Sequence, residues 1–398
     1  MADRWFLSLG AGQNQLPLIM AAKALGFQVA CVDADAVGRE FADRFYCASI
    51  LDRRNIIDII TTDSDLSSSL CGVGCRSFAK AVEVAASVSR HFSLPSNPHT
   101  ALRFFRDKSK YKKKLQQWQI PVPFDVQNPK KLIVRPATGF AKEGLQIIDT
   151  AKASEESTSQ TLKDMVSAGH FVEPFIDGNE CILLGLVSDG TFYPVIITDR
   201  IRNSDFSDQM HVFPSSVDAK IRYDMAESCR QIVRRSGLLN GPFLAEFIVS
   251  NGVAYLVECA AEVGGEFLAD DMVPLATRLP YFELLVKILT KTDPDGVRRQ
   301  LLDHLEKERQ SAMVIGYLPP SEDGNDTEAS QIEFSAAVYR HAGFLFARQL
   351  SVRTANRPNN RRPGVIGLSA EISKRQQLID DMKSIIANHK ESSNATSN

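Results

Sequence analysis

The sequence has no apolar run that approaches the roughly 20 residues needed to span a bilayer. It also lacks an excess of charge of either sign, since 46 basic and 48 acidic side chains leave a net charge of -2. These absences argue against a helical membrane protein and give no electrostatic reason to expect nucleic acid or an anionic membrane surface as a partner. The first residues enter a strand-like stretch without a secretory signal, so we expect a cytoplasmic protein.

Cysteine is scarce and shows no pairing pattern. Seven cysteines, an odd number, are scattered through apolar segments, which is typical of reduced, buried thiols in a cytosol-like compartment. The one close pair, Cys71 and Cys75, has neither a second pair nor a histidine cluster nearby, so we predict no structural zinc site. The sequence also lacks a G-x-x-x-x-G-K-[ST] pattern, which disfavours a P-loop nucleotide hydrolase.

The chain begins with the pattern of a doubly wound sheet. A strand-like stretch at 4–9 runs into Gly10-Ala11-Gly12, and an apolar helix pattern and a second strand at 28–32 follow. The period changes from strand to helix and back, as a parallel α/β sheet requires. Further elements of this kind are predicted near residues 52–60, 70–75 and 77–90.

The middle of the chain alternates predicted helices with strands. Asp189-Gly190 and Asn251-Gly252 are dipeptides typical of β-hairpins, and a helix is predicted between them at 219–236. Ser369 is interpreted as the N-cap of a terminal helix that ends near residue 386. The predicted strands are 132–135, 145–148, 171–175, 180–187, 192–198, 243–249, 253–259 and 365–368.

Two glutamates of the second hairpin are the most informative residues. Glu246 and Glu258 each interrupt an apolar strand, where an ionised carboxylate is costly unless a cation compensates it. Two such carboxylates on neighbouring strands favour a divalent cation with oxygen ligands, of the Mg²⁺ kind. The alternative is that each glutamate pairs with a buried lysine or arginine.

The turn of this hairpin decides whether the two carboxylates meet. A strict two-residue turn would place Glu258 on the opposite face from Glu246. A three-residue turn at 250–252, with Gly252 in the left-handed region and a bulge, places Glu246 opposite Leu256. Both carboxylates then share one face as diagonal neighbours, roughly 7–8 Å apart at Cα. We predict this second arrangement.

A second group of candidates is basic. Lys108, Arg135 and Lys142 come from a predicted helix, a strand end and a loop of small residues at 137–144. Phosphate binding needs cations and closely approached backbone N–H groups, which such a loop allows. A solvated helix face is the alternative for Lys108, because it begins a run of lysines at positions 108, 110, 112, 113 and 114.

A third stretch, 172–180, ends one strand, turns at Gly178 and begins another strand at Glu180. Unpaired backbone groups at such a break can contact an adenine edge, and a carboxylate can accept hydrogen bonds from ribose hydroxyls. The alternative is an ordinary strand with a bulge.

In this order, the residues resemble the ATP-grasp superfamily, and within it the carboxylate–amine ligase and biotin-carboxylase-like branches, over residues 5–271. The resemblance implies an N-terminal doubly wound pre-ATP-grasp domain, a two-lobed α+β ATP-grasp fold and a small C-terminal α/β portion. The implied boundaries are 1–96 for the first domain, 97–172 for the small lobe, 173–300 for the large lobe with the metal site, and 301–398 for the C-terminal portion with a flexible tail.

The resemblance also implies a role for each matching residue, with ATP and Mg²⁺, or Mn²⁺ in its place, bound between the lobes. The implied nucleotide contacts are Lys108, Arg135 and Lys142 on phosphate, the hinge from Glu173 with backbone groups of Phe175 and Ile176 on adenine, and Glu180 on ribose. The implied metal ligands are Glu246 and Glu258. Arg200 is implied near the γ-phosphate, and Lys142 lies in a loop that closes over the phosphates. We add His211 as a group that orients a substrate or shuttles a proton, with a structural histidine as the alternative.

The sequence departs from the family where carboxylate activation is normally secured. Family members commonly continue from the second glutamate as E-x-N-x-R-x-G-G, but Ala260 and Glu262 occupy the asparagine and arginine positions here. Arg200 or Arg202 is a candidate for the missing positive charge, and Glu262 or Glu266 for binding a cationic substrate group or a metal. A catalytically weak ATP-binding regulatory protein is therefore one alternative function.

The main hypothesis is an ATP-dependent ligase that activates a small-molecule carboxylate as an acyl phosphate for attack by an amine. An NAD-dependent oxidoreductase is the alternative from another class, because Gly10 and Gly12 match the start of G-x-G-x-x-G and Asp33 follows at a suitable distance. Gln15 replaces the third glycine, which weakens that alternative. The oligomeric state, a homodimer included, is left open.

Overall fold

The computed structural model describes residues 4–78, 80–126, 129–136, 146–150, 164, 166–167, 169–264, 267–319, 334–350 and 364–395. The strands are β1 (Trp5–Leu9), β2 (Gln28–Asp33), β3 (Arg44–Cys47), β4 (Leu70–Cys75), β5 (Lys131–Pro136), β6 (Gln146–Asp149), β7 (His170–Pro174), β8 (Asn179–Ser188), β9 (Thr191–Arg202), β10 (Asp208–Phe213), β11 (Gly241–Ser250), β12 (Val253–Ala260), β13 (Ser311–Tyr317), β14 (Phe344–Gln349) and β15 (Gly364–Glu371). The α-helices are α1 (Leu16–Ala24), α2 (Arg53–Thr62), α3 (Ser64–Ser69), α4 (Lys80–His91), α5 (His99–Phe104), α6 (Lys108–Gln117), α7 (Ala219–Ser236), α8 (Val273–Thr277), α9 (Tyr281–Thr290), α10 (Pro294–Glu306), α11 (Ala336–Arg340) and α12 (Arg375–Ala395).

The N-terminal sheet is parallel and has the strand order β3-β2-β1-β4. Phe6 of β1 packs on one face with α1, and Leu7 packs on the other face with α2 and α4. Because both faces are covered by helices, β1 is buried along its whole length, as a strand of a doubly wound sheet is. The predicted β-turn-α-β unit is confirmed.

The two remaining sheets form the rest of the fold. A three-stranded antiparallel sheet has the order β6-β5-β7. An eight-stranded sheet has the order β12-β11-β8-β9-β10-β13-β15-β14. The C-terminal strands β13, β14 and β15 thus continue the sheet that contains the glutamate hairpin, and the predicted C-terminal portion shares a sheet with the large lobe. Within the described residues no helix is both long and apolar enough to cross a membrane.

The hairpin of β11 and β12 corrects the predicted turn. Ser250 pairs with Val253, so the turn has two residues, and both of them, Asn251 and Gly252, have positive φ. The predicted three-residue turn is therefore wrong. A bulge lies farther along, because Phe247 pairs with Leu256 whereas Glu246 pairs directly with Glu258. The extra residue, Val257, brings Glu258 to the same face of the sheet as Glu246. The predicted shared face is therefore confirmed, but a bulge within the strands produces it, and the turn does not.

Two predictions near the C-terminus are wrong, and one strand in the middle of the chain was missed. Ser369 is not an N-cap, because it lies in β15 and pairs with Met313, and helix α12 begins six residues later at Arg375. That helix also runs to Ala395 instead of ending near residue 386. Strand β10, which carries His211, was not predicted at all.

Candidate active site

The centre of the candidate site is the carboxylate pair on the face that β11 and β12 present together. In β11 the buried residues alternate with partly exposed ones, so Phe247 points into the core and Glu246 points to the opposite face. Glu246 and Glu258 are directly opposite each other, and their side chains are 24% and 34% exposed. Like charges in this position repel, so the arrangement requires cations.

Cations approach this pair from three distant segments of the chain. The Lys108 Nζ, at the start of α6, lies 2.9 Å from both carboxylate oxygens of Glu258. The Arg135 Nη1, on β5, lies 3.9 Å from the Glu258 Oε2. On the other side, the Arg200 Nη1 lies 2.9 Å from the Glu246 Oε2.

Arg200 and Arg202 together dominate the electrostatics of Glu246. The Arg202 Nη2 lies 3.9 Å from the Glu246 Oε2, and the side chain of Arg200 is only 7% exposed. Burial alone would raise the pKa of Glu246, but the two guanidinium groups outweigh it and hold that pKa below its usual range. The carboxylate is therefore ionised at neutral pH and available to a cation.

A row of polar residues continues across the same face of the sheet. Glu180 on β8 pairs with Arg200 on β9, and Arg200 pairs with His211 on β10. The Glu180 Oε2 accepts a contact of 2.5 Å from the Arg202 Nε, and burial raises the pKa of Glu180 although Arg202 opposes it. His211 is fully buried, with its ring edge-on to Tyr317 at 5.9 Å between centroids. The row places Glu180, predicted for ribose, beside Arg200, predicted for phosphate.

Glu173 does not face a ligand directly, although it was placed among the nucleotide contacts. Its carboxylate is 2% exposed, and its two oxygens are taken by the Lys112 Nζ and the Arg135 Nη2. Lys112 is a site residue that the sequence did not reveal, because it was counted with the exposed lysines of the same helix. A periodicity signal was present, since Lys112 neighbours the apolar Tyr111 and precedes Leu115 by three positions.

The segment after β7 is fixed to the glutamate hairpin. Ser250 Oγ donates to the backbone oxygen of Asp177 at 2.8 Å, and a Cβ on Gly178 would lie 2.4 Å from the backbone oxygen of Val249. The Phe175 N–H donates to the Lys131 oxygen at 2.9 Å, so only the carbonyl of Phe175 is left for an adenine edge. The side chain of Ile176 is buried and would form an apolar floor.

The protein atoms present fit a magnesium ion that is bound together with phosphate. Ala260, two residues after Glu258, supplies no ligand, and the described residues contain no group of three or more acidic, histidine or cysteine side chains in metal-binding geometry. Mg²⁺ commonly takes one or two carboxylates from the protein and completes its shell with phosphate oxygens and water. Glu246 and Glu258 match that donor set.

Glu262, at the position of the family's arginine, acts on a residue of the N-terminal sheet. Burial raises the pKa of the Cys75 thiol to about 12, and the charge of Glu262 contributes to that shift. Glu262 therefore lies near the carboxyl end of β4 in the N-terminal domain. Lys142, the loop at 137–144 and Glu266 lie outside the described residues.

The N-terminal glycine turn is filled by its own chain. Asp33 Oδ2 accepts the Ala11 N–H at 2.7 Å, and Gln15 Nε2 donates to the Arg76 backbone oxygen at 2.6 Å. A Cβ on Gly38 would lie 1.8 Å from the Ala11 oxygen, so the following loop also covers the turn. A dinucleotide needs this crevice open and Asp33 available for its ribose. The turn is therefore unsuited to NAD.

Comparisons with known proteins agree with the fold. Residues 129–270 match the family model of the ATP-grasp domain. No curated protein sequence matches the chain. An L-amino acid ligase from Bacillus licheniformis superposes with a TM-score of 0.76 at 17% identity, over 96% of this chain and 98% of that one.

Two other solved structures cover nearly the whole chain. Phosphoribosylglycinamide synthetase from Anaerococcus prevotii gives a TM-score of 0.73 at 16% identity, over 96% of this chain and 98% of that one. N5-carboxyaminoimidazole synthase from Aspergillus clavatus, in complex with ADP and 5-aminoimidazole ribonucleotide, gives 0.68 at 14% identity, over 97% and 99%. Likeness at these identities establishes the fold. Residues 129–270 are thus similar to an ATP-grasp domain, within a chain that shares its fold with these enzymes.

Proposed function

We propose that the chain is an ATP-dependent ligase that activates a small-molecule carboxylate as an acyl phosphate and joins it to an amine. The observation that carries the proposal is the alternation of charge around Glu246 and Glu258. The paired carboxylates lie between Lys108 and Arg135 on one side and Arg200 on the other. A free anion would be repelled by the two carboxylates. Mg–ATP instead places a cation next to the carboxylates and its phosphates next to the basic groups.

The named structural neighbours support a ligase in particular. An L-amino acid ligase and a phosphoribosylglycinamide synthetase share this fold over almost their whole length. A third neighbour of the same fold is in complex with ADP. The proposed partners are therefore small molecules, a carboxylate and an amine. The seven cysteines are all free thiols, which supports a reducing compartment such as the cytoplasm.

Each charged group has a proposed task. Lys108 and Arg135 bind the phosphates, Glu180 accepts hydrogen bonds from the ribose, and the Phe175 carbonyl faces the adenine. Glu246 and Glu258 would hold Mg²⁺, which when bound neutralises phosphate charge. Lys142 joins the phosphate contacts as a proposal from the sequence.

The proposed reaction has two steps. An oxygen of the substrate carboxylate attacks the γ-phosphorus of ATP, and the bond from that phosphorus to the bridging oxygen breaks, so that ADP leaves with the electron pair. The amine nitrogen then attacks the acyl carbon, inorganic phosphate leaves, and the nitrogen loses a proton. Arg200 stabilises the charge that develops on the transferred phosphoryl group. His211, fully buried beside this row, fits the orienting role better than proton exchange with solvent.

The departures at Ala260 and Glu262 are compatible with this proposal because the arginines of β9 supply positive charge close to Glu246. Arg202 lies between Glu180 and Glu246, at the junction of the proposed ribose and metal positions. We propose that Arg202 takes over the stabilising charge of the family's missing arginine. A non-catalytic ATP-binding protein remains the second candidate, favoured by Ala260, which removes one oxygen ligand.

The test uses purified protein with Mg–ATP, mixed carboxylate substrates and hydroxylamine. Hydroxylamine intercepts an acyl phosphate and gives a hydroxamate, and ADP should form in equal amount. Expected is hydroxamate that requires both ATP and a carboxylate. Binding of ATP without ADP or hydroxamate in any mixture would favour the non-catalytic candidate, and binding of NADH in place of ATP would overturn the proposal.

A further inference from the structure

Lys112 is the one lysine of helix α6 with no exposed surface at all. Lys113 and Lys114, the next two residues, are exposed. The helix therefore turns one charged side chain of its basic run into the interior. Its Nζ contacts the Glu173 Oε2 and lies 5.3 Å from the centre of the Phe171 ring.

Burying an ammonium group is unfavourable unless a partner compensates it, and here the partner is shared. On the neighbouring strands of the three-stranded sheet, Arg135 pairs with Phe171, and Ile133 pairs with Glu173. Arg135 and Glu173 thus lie diagonally on one face, and the Arg135 Nη2 contacts the Glu173 Oε1. One buried carboxylate holds two cations.

The three side chains point from the interior toward the metal and phosphate positions. Lys112 is deepest, Glu173 lies between, and Arg135 is outermost, with a side chain that is 14% exposed. The free edge of Arg135 extends to the carboxylate of Glu258, the same carboxylate that Lys108 contacts. Lys112, Glu173 and Arg135 together carry one net positive charge. Because Arg135 is the outermost of the three, this net charge is presented at its guanidinium.

We propose that Lys112 is a positioning residue for ATP: by sharing the charge of Glu173, it leaves the guanidinium of Arg135 free to bind phosphate. Without Lys112, Glu173 would neutralise Arg135 one to one and hold it back from the nucleotide. This inference rests on the proposed function, since it requires that phosphate binds at Arg135. It predicts an effect on phosphate and none on adenine or ribose.

The protonation of Lys112 gives an independent readout. Burial lowers the pKa of Lys112 to about 8, although Glu173 opposes the shift. At a pH below this pKa, Lys112 is charged and the three residues keep their net positive charge. As the pH rises above it, Lys112 loses its proton and the net positive charge at Arg135 is lost. The affinity for ADP should therefore fall between pH 7 and pH 9.

The charged groups that face Lys112 are Glu173, Arg135 and Glu258. The pKa of Arg135 is raised because Glu173 and Glu258 outweigh its burial. Burial holds the Cys259 thiol protonated, with its pKa raised far above neutrality. A step near pH 8 in the affinity for ADP thus reports on Lys112.

The experiment compares the binding of ADP and of adenosine, both with Mg²⁺ present, to the full-length protein and its variants. Lys112→Met removes the charge at similar length, Lys112→Gln keeps a hydrogen-bond donor, and Lys113→Met is the exposed control on the same helix. A charge-assisted contact is typically worth about 1.5–3 kcal/mol, so we expect ADP affinity to fall roughly tenfold or more in both Lys112 variants. Adenosine affinity should stay within about twofold.

The outcomes separate the inference from the proposed function. The wild-type protein should lose ADP affinity from pH 7 to pH 9, whereas Lys112→Met and Lys112→Gln should be insensitive. Equal losses of ADP and adenosine would mean that Lys112 only supports the pocket, and unchanged ADP affinity would mean that it does not act through Arg135; either result overturns the inference. If the wild-type protein binds neither ADP nor ATP, the proposed function itself fails. Should both variants fail to fold, a wild-type ADP affinity that is flat across the same pH range overturns the inference.

Discussion

The glycine turn at residues 10–12 and the hairpin that carries Glu246 and Glu258 are both visible in the sequence as short patterns. They differ in where the partners of their polar groups come from. At the turn, Asp33 accepts the Ala11 N–H, and Gln15 folds back over the glycines. Every one of these interactions is local to the N-terminal domain. The pattern that resembles a dinucleotide site is used to build the turn itself.

At the hairpin, the partners come from far away in the chain. Lys108 is 150 residues from Glu258, and Arg200 reaches Glu246 from another strand of the sheet. A cluster of charges assembled from distant segments costs conformational entropy and desolvation, and a purely structural role could be filled more cheaply by apolar residues. Of these two regions, the one assembled from distant segments is therefore the better candidate for a functional site.

The largest effect should come from the hairpin. We expect Glu258→Gln to lower ATP turnover by on the order of 10²-fold or more, because it removes one proposed metal ligand and the carboxylate that Lys108 contacts. ADP release is the measurement, and Glu227→Gln, at a partly exposed position on α7, is the matched control. Near-normal turnover in Glu258→Gln would show that the hairpin is not part of the active site, and the hairpin and the glycine turn would then no longer differ in function.

The next effect should come from the N-terminal side and should concern stability. Arg76 forms a two-pronged ion pair with Asp270 of the large lobe, and their side chains are 6% and 8% exposed. Because breaking a buried pair leaves a charge unpaired, Arg76→Met should cost about 3–5 kcal/mol of unfolding free energy. Urea denaturation measures it.

The exposed pair of Lys291 with Asp189 is the control for that measurement. Lys291→Met should cost about 1 kcal/mol or less, since surface ion pairs contribute little. If Arg76→Met is equally mild but weakens ATP binding, the N-terminal side is part of the nucleotide site, and the comparison has to be reversed.

A smaller effect separates a filled turn from a ligand crevice. A Cβ added at Gly38 would lie 1.8 Å from the Ala11 oxygen, so Gly38→Ala has to displace backbone. We expect a loss of about 1–3 kcal/mol in stability, as for other overpacked sites, and unchanged affinity for ADP. Stabilisation by the substitution, or a selective gain or loss of ligand binding, would show that the turn is open in solution.

Much of the fold was predictable from local sequence. Helix α7 was predicted at its observed bounds, because its period is regular, Asp218 caps its start and Gly237 adopts positive φ at its end. Strand β4 was predicted equally well. Strand β10 was missed because no clear alternation of apolar and polar residues marks it, although it pairs with the neighbouring β9 as well as with the distant β13. Ser369 has a helix-capping side chain, but pairing of β15 with β13 overrides that preference.

The residues of the site were predictable from the sequence, but the contacts between them were not. The residue types of Glu246, Glu258, Lys108 and Arg200 carry the chemistry, and the structure brings all four together. Their pairing is a tertiary property. Lys112 was not singled out although its spacing from Leu115 was a signal, because a basic run hides which one of its lysines lies on the packed face of the helix.

The smallest predicted effect tests the turn that fixes the hairpin. Asn251 has φ of 50° and Gly252 has φ of 75°, as a two-residue turn of the type that favours Asn-Gly requires. Alanine is less favourable than asparagine in the left-handed region, so Asn251→Ala should cost about 1 kcal/mol in unfolding free energy, and Asn251→Gly should cost little or nothing. In a three-residue turn only Gly252 would need positive φ, and Asn251→Ala would then be neutral. A neutral result would therefore restore the register in which Glu246 lies opposite Leu256, and the carboxylates would be diagonal neighbours instead of a direct pair.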